Sequence, residues 1–153
     1  MGEQASRIVA EDVDVGGVDA EMIRRAEAAV AALGDNFMQW IAADVETAWR
    51  ALGEAKAPAT AVSGLATLYT TAHNIKGYSG TFGYGLATDI AASLCLLLKR
   101  TEGGGEAALE AAASHLKGLD LIVQHDIAGS GGDSGQALLA KLEAGVARIL
   151  DED

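Results

Sequence analysis

Apolar residues recur along most of the chain at intervals of three and four, the spacing that places them on one face of an α-helix. Glycine-rich or proline-containing stretches interrupt this pattern, and no useful length of sequence alternates between apolar and polar residues as a strand does. The sequence therefore predicts an all-α protein. The predicted helices cover residues 19–33, 35–54, 60–79, 86–100, 106–127 and 134–150.

The residues between these stretches indicate where helices begin and end. Asp35, Thr60 and Ser134 are expected N-caps, and Gly34 is expected to end the first helix. Short connections between amphipathic helices favour antiparallel neighbours. We therefore expect an up-down four-helix bundle with additional N- and C-terminal helices. Residues 1–17 are expected to form a flexible acidic arm, and residues 18–153 a single helical domain.

Composition and charge narrow the classes of partner. The 153 residues suit one domain, and a net charge of −11 repels nucleic acid phosphates and anionic membranes. Cys95 stands alone in an apolar run and is expected to be buried, with no disulfide partner. We see no signal peptide, no apolar run long enough for a membrane span and no long heptad seam. We therefore expect a cytoplasmic monomer that binds neither nucleic acid nor membrane.

The third predicted helix carries the most informative residue, His73. On a helical wheel of about 100° per residue, His73 lies roughly 130° from the middle of the apolar stripe, so we expect its imidazole to be exposed. Lys76 follows one turn later, and Gly77 and Gly80 leave the surface beyond the histidine free of side chains. A glycine destabilises a helix by about 1 kcal/mol relative to alanine, so stability does not explain these glycines. They are explained if another protein must approach the imidazole closely.

Exposed imidazole with a neighbouring cation is suited to holding a phosphoryl group. Neutral imidazole is a nucleophile near neutral pH and forms covalent intermediates. The ammonium of Lys76 would offset the negative charge of a group attached to His73, by about 1 kcal/mol at an exposed site. The other two histidines, His115 and His125, lack such neighbours and are expected to be surface or partly buried helical residues.

Residues 69–100 resemble the histidine-containing phosphotransfer (HPt) family. In that family a helix carries His-x-x-Lys-Gly, then a small residue two places on, then a glycine ten places after the histidine. An apolar helix follows, supplied here by residues 86–98. The matching residues of the motif in this chain are His73, Lys76, Gly77, Ser79 and Gly83.

The resemblance implies a carrier in a two-component phosphorelay. His73 would accept a phosphoryl group from a receiver-domain aspartate and pass it to a response regulator, while Lys76 screens charge. Gly77 and Gly80 would permit the receiver to dock. The partners implied are receiver domains and a sensor or hybrid histidine kinase. The chain would need no cofactor, because the receiver holds the Mg²⁺, and it would have no kinase activity of its own.

Further residues around the motif receive weaker roles. Tyr69 is expected to support the imidazole or to join the docking rim, which would also include Thr70. Ser79 lies nearer the apolar stripe and is expected to pack or hydrogen-bond within the bundle. Lys99 and Arg100 end the next predicted helix. They would bring a second cation toward His73 if the two helices pair antiparallel, or would simply favour the helix dipole.

Other functions compete with the relay. A helical adaptor would bind a partner through the glycine-cleared face without phosphorylation, since bundles host many functions. A phosphotransfer domain of a chemotaxis-type kinase would have the same site, but this chain has no phosphate-binding glycine loop following a strand. A di-iron bundle needs Glu-x-x-His pairs on facing helices, and the spacing of Glu110 and His115 does not supply one. We therefore predict no metal site.

Overall fold

A computed structural model describes residues 16–152 of the chain, and this part contains five α-helices and no strand. The prediction of an all-α protein is confirmed. The helices are α1 (Gly16–Ala55), α2 (Ala61–Ser79), α3 (Gly85–Thr101), α4 (Glu106–His125) and α5 (Gly132–Asp151). Residues 1–15, most of the predicted arm, lie outside the described residues, whereas Gly16 and Gly17 already belong to α1.

The first two predicted helices are one continuous helix, so the predicted break at Gly34 is wrong. Gly34 is not among the glycines with a positive φ, and it therefore does not have the left-handed conformation that commonly ends a helix. Its penalty of about 1 kcal/mol is small beside the burial of Phe37 and Ile41 in the next two turns of the helix. Asp35, predicted to be an N-cap, consequently lies inside α1.

The chain divides into two compact units, residues 1–36 and 37–153, and α1 runs through the boundary. In the described part of the first unit, every large apolar side chain with a described position is exposed: Met22, Ile23, Val30 and Leu33. Arg24 and Arg25 both bond the carboxylate of Glu21 along the same helix.

The core belongs to the second unit. Helix α3 packs against α2, α4 and α5, and α4 also packs against α5. Burial of each large aliphatic side chain stabilises the unit by about 1.5–3 kcal/mol. The largest fully buried side chains are Phe37, Ile41, Leu52, Leu68, Ile75, Leu86, Ile90, Leu94, Leu97, Leu116, Leu119 and Ile122.

Helix α2 approaches the end of α1 closely at Gly64. A Cβ atom there would lie 2.6 Å from the backbone nitrogen of Ala55 and 2.8 Å from the carbonyl oxygen of Ala51. Only glycine permits this backbone contact. A polar bond also joins α1 to α4, because the Trp49 indole nitrogen donates to Asp120 Oδ2 at 2.9 Å. The contact at Gly64 thus holds the helix that carries His73 against α1.

Two predicted caps differ from the structure. Thr60 precedes α2, but its hydroxyl makes no side-chain cap; it donates instead to the carbonyl oxygen of Glu54, 2.7 Å away, and so closes the α1–α2 connection. Helix α5 begins at Gly132, two residues before Ser134, and its N-cap residue is Gly131. Gly131 has a φ of +76°, a conformation that glycine adopts without the penalty a side chain would bring.

His115 is buried, contrary to the prediction of a surface or partly buried residue. Its Nδ1 lies 2.7 Å from the Ala111 carbonyl oxygen, so this nitrogen carries the proton and donates. Its Nε2 lies 2.8 Å from the Ser93 hydroxyl and accepts from it. Burial lowers the pKa of His115 below 6.5, because the charged imidazolium is poorly solvated there. The neutral ring thus joins α3 to α4. His125 is exposed, as predicted.

Candidate functional site

His73 is exposed on the outer face of α2. The helix buries a stripe that holds it against the core, and the stripe leaves His73 on the opposite side. The buried positions of α2 are Gly64, Leu68, Thr71, Ala72, Ile75 and Ser79. The predicted exposure of the imidazole is therefore present in the structure, and it follows from the helical period alone.

Tyr69 lies one turn before His73, and the two rings are stacked. Their centroids are 6.3 Å apart and their planes differ by 18°. Tyr69 is half-buried against the core, whereas His73 is exposed. The two rings are thus neighbours on α2, and the imidazole side chain remains open to solvent.

Lys76 lies one turn after His73 and is half-buried. Burial raises the pKa of the Cys95 thiol on α3, and the charge of Lys76 acts in the opposite direction on that pKa. Lys76 is the cationic side chain of α2, three residues after His73, and its charge also acts on Cys95 of α3.

Gly77 and Gly80, which follow His73 on α2, leave room where a side chain would otherwise stand. A Cβ atom at Gly77 would meet nothing within 4 Å, and one at Gly80 would meet only Thr88 Oγ1 at 3.4 Å. Both positions are exposed. Helix packing therefore does not require glycine at Gly77. Gly83 is different, because its φ of +85° turns the chain into α3, and its carbonyl oxygen accepts from the Gly129 nitrogen at 2.7 Å.

A shallow cleft of about 510 Å³ lies between the first part of α2 and the end of α3. Tyr69, whose ring stacks on His73, lines this cleft. The predicted docking residue Thr70 and the predicted cation Lys99 line it as well, so the three share one surface. Gly103 follows the end of α3, and a Cβ atom there would meet the side chain of Leu65 in the first part of α2. The end of α3 therefore lies beside the start of α2, and the two helices are antiparallel. Arg100 is exposed and is not among the residues that line the cleft.

Ser79 is completely buried at the end of α2. Its hydroxyl has no hydrogen-bond partner, although the sequence analysis left open packing or hydrogen bonding. The position therefore needs a small side chain for packing, and the hydroxyl adds nothing that the structure uses.

An aromatic cluster at the α2–α3 connection was missed by sequence reasoning. Phe37 stacks on Tyr84 with centroids 4.3 Å apart, and Trp40 meets the edges of Tyr78 and Phe82 at 6.2 and 5.9 Å. Trp40 remains 43% exposed. Five of the seven aromatic residues lie in the short segments 37–40 and 78–84, and this clustering could have indicated a contact. The two segments are about 40 residues apart in the sequence, so nothing local connects them.

Hydrogen bonds anchor two tyrosines of this cluster. The Tyr78 hydroxyl donates to Asp44 Oδ2 at 2.6 Å, which joins α2 to α1, and burial together with that carboxylate raises the pKa of Tyr78. The Tyr84 hydroxyl donates to Asp126, and this bond, reinforced by partial burial, raises the pKa of Tyr84 to about 12. Both phenols stay protonated at neutral pH. The Tyr78 bond fixes the end of α2 that follows His73, whereas the Tyr84 bond joins the residue before α3 to the residue after α4.

Residues 16–152 contain no cluster of three or more His, Cys, Asp or Glu side chains arranged to hold a metal ion. None of the helices in that range combines the length and the apolar character needed to cross a bilayer. A cleft of about 630 Å³ lies between α4 and α5, and His73 does not line it. The chemistry at His73 therefore belongs to an open surface and not to a pocket.

Comparison with known proteins found no match to this chain among family models, curated proteins or solved structures.

Proposed function

We propose that this protein is a histidine phosphotransfer carrier of a two-component phosphorelay, with His73 as the phosphoacceptor. One observation carries the proposal: His73 is exposed beside Lys76, and the adjacent glycine surface is not required by packing. An open, nucleophilic imidazole on a rigid helix suits transfer between two proteins better than chemistry on a small molecule, which uses concave pockets.

The transfer is a pair of substitutions at phosphorus. A nitrogen of the His73 imidazole attacks the phosphorus of a receiver aspartyl phosphate; the N–P bond forms while the acyl-phosphate P–O bond breaks, and the aspartate leaves as a carboxylate. The second receiver reverses these changes. Lys76 offsets charge on the phosphoryl oxygens throughout. Mg²⁺ enters with the receiver, so this chain supplies the nucleophile, its orientation and one cation.

The finer architecture follows from the same proposal. We infer that the second unit is built on an HPt-type up-down four-helix bundle with additional terminal helices, and that α2 and α3 carry and support the phosphoacceptor. Support comes from the antiparallel pairing of α2 with α3 and from the central packing of α3. Receiver domains and a histidine kinase are the partners, and the protein acts in the cytoplasm without kinase activity of its own.

The experiment that tests the relay uses a receiver domain phosphorylated by its kinase. Mixed with the wild-type chain, the receiver loses label and the chain gains it; with His73→Gln, the receiver keeps its label. Because the side chain at this position is exposed, the variant should fold, and circular dichroism verifies that. Unchanged loss of receiver label in the presence of His73→Gln refutes the proposal.

A non-catalytic adaptor is the second candidate. The exposed edge of Trp40, seated on Tyr78 and Phe82, favours it, because exposed aromatic side chains are enriched where proteins bind each other. An adaptor would retain both partner binding and signalling output in His73→Gln, whereas a relay would retain binding and lose output. Isothermal titration with the receiver and a transfer assay on the same variant therefore separate the two functions.

A further inference from the structure

The first part of α1 presents an apolar stripe. Ile23, Ala26, Val30 and Leu33 are spaced three, four and three residues apart, which places them on one face of the helix. Ile23, Val30 and Leu33 are 57, 66 and 45% exposed, and Met22 beside them is also exposed. Four of the eight large exposed apolar side chains of residues 19–152 thus fall within twelve residues of one helix. A helix face of this kind is suited to burial against another surface.

The cleft between α4 and α5 has the complementary chemistry. It measures about 630 Å³, and its floor is apolar, with Leu121, Leu138 and Ile149 among its residues. Gly145 also lines it, and a small residue of this kind allows a helix backbone to approach closely. At Gly145 a Cβ atom would meet nothing within 4 Å, so the space above this residue is empty.

The charges beside the stripe suit those of the cleft. Lys117, Lys141 and Arg148 line the cleft against two acidic residues, although the whole chain has a net charge of −11. Asp19 and Glu27 each lie four residues from Ile23 and therefore on the side of the helix that carries the stripe. Attraction between these carboxylates and the cations of the cleft would favour association.

The dimensions agree as well. The stripe from residue 22 to 33 spans about 16 Å of helix at 1.5 Å per residue, and the α4 side of the cleft, residues 107–121, spans about 21 Å. We propose that the chain forms a dimer in which residues 22–33 of one copy dock into the α4–α5 cleft of a second copy. This is a helix-in-groove interface, and it replaces the monomer expected from sequence.

Reciprocal docking would close the assembly. Each copy offers one stripe and one cleft, so a two-fold exchange fills both clefts, whereas one-way docking would continue into an open chain. The exchange leaves His73 free, because His73 does not line the cleft and is not part of residues 22–33. The dimer and the relay function are therefore independent, and either proposal can fail alone.

Two matched pairs of variants test the interface in the full-length chain. Val30→Glu places a charge in the stripe, with Ala31→Glu, on a different face of the same helix, as its control. Gly145→Leu fills the cleft, with Ala144→Leu, an exposed neighbour outside the cleft, as its control. Sedimentation velocity over a concentration series should show a wild-type dimer that dissociates on dilution. Val30→Glu and Gly145→Leu should each weaken association by about tenfold or more, and the controls should not.

A mixing experiment distinguishes docking into the cleft from pairing of two stripes. Val30→Glu keeps an intact cleft, and Gly145→Leu keeps an intact stripe. In a mixture, the stripe of Gly145→Leu can dock into the cleft of Val30→Glu, which restores one of the two stripe-to-cleft contacts. The mixture should therefore associate more strongly than either variant alone. A wild-type chain that stays monomeric at every concentration overturns the proposal. So does a Gly145→Leu variant that dimerises like wild type, because that result indicates stripe-to-stripe pairing.

Discussion

Replacing Gly77 with alanine should make the protein more stable and a poorer phosphotransfer partner. The added Cβ meets nothing within 4 Å, so no packing is disturbed. Gly77 lies two residues before the end of α2, and removing glycine from a helix stabilises it by about 0.5–1 kcal/mol. For a chain of this size that corresponds to a rise in Tm of roughly 1–4 °C. Urea denaturation should show a higher midpoint with an unchanged slope.

The same methyl group should obstruct the receiver. It lies one helical turn beyond His73 on the same side of α2, and overfilling a packed contact costs about 1–3 kcal/mol. Transfer from a phosphorylated receiver should therefore slow by roughly 5- to 150-fold. Rapid-quench measurement of label on the chain gives this rate directly.

Gly53 provides the matched control. It is exposed, lies two residues before the end of α1, and its Cβ would also meet nothing within 4 Å. Gly53→Ala should give a similar gain in stability with no change in transfer rate. A Gly77→Ala variant that loses stability would show that the space is not free. One that gains stability and transfers at the wild-type rate would refute the docking role of the glycine surface.

Gly64→Ala should lower the free energy of unfolding by about 1–3 kcal/mol in urea titrations, because its Cβ collides with the α1 backbone; an unchanged midpoint would contradict that close approach. Ser79→Ala should leave stability unchanged or raise it by up to about 1 kcal/mol, since the hydroxyl is buried without a partner. A clear loss would reveal a bond the structure lacks. Burial lowers the pKa of His115 in the folded state, so as the pH falls the histidine is protonated first in the unfolded state. The contribution of the neutral ring to stability is therefore present in full above pH 6.5, and Tm should decline from about pH 6.5 downward. His115→Leu should reduce that decline, and His125→Gln should not. Lys76→Ala should slow transfer by about fivefold, as expected for roughly 1 kcal/mol at a partly exposed cation, and an unaffected rate would remove Lys76 from the site.

The helical period alone predicted α2 and the exposure of His73, because a buried stripe at three- and four-residue spacing fixes which side faces solvent. The period could not predict that α1 continues through Gly34. Gly34 weakens the helix by about 1 kcal/mol, and the burial of Phe37 and Ile41 outweighs that penalty, but this burial depends on tertiary contacts that no local motif records.

Contacts between segments that are distant along the chain could not be predicted from the sequence. The bond between His115 and Ser93 joins positions 22 residues apart on two helices, and nothing about either residue alone indicates the pairing. Lys99 lies near Tyr69 because α2 and α3 are antiparallel, and the sequence does not fix that orientation. Several small residues line the α4–α5 cleft, and small residues also occur where helices simply pack closely.

The central claim is that His73 carries the phosphoryl group, and the most direct measurement is the chemical identity and position of the transferred phosphate. The wild-type chain incubated with a radiolabelled phospho-receiver should gain label that is stable in alkali and lost in acid. His125→Gln should gain the same label, and His73→Gln should gain none. Acid-labile label on His73→Gln, or no label on the wild-type chain with any of several receivers, would contradict the account.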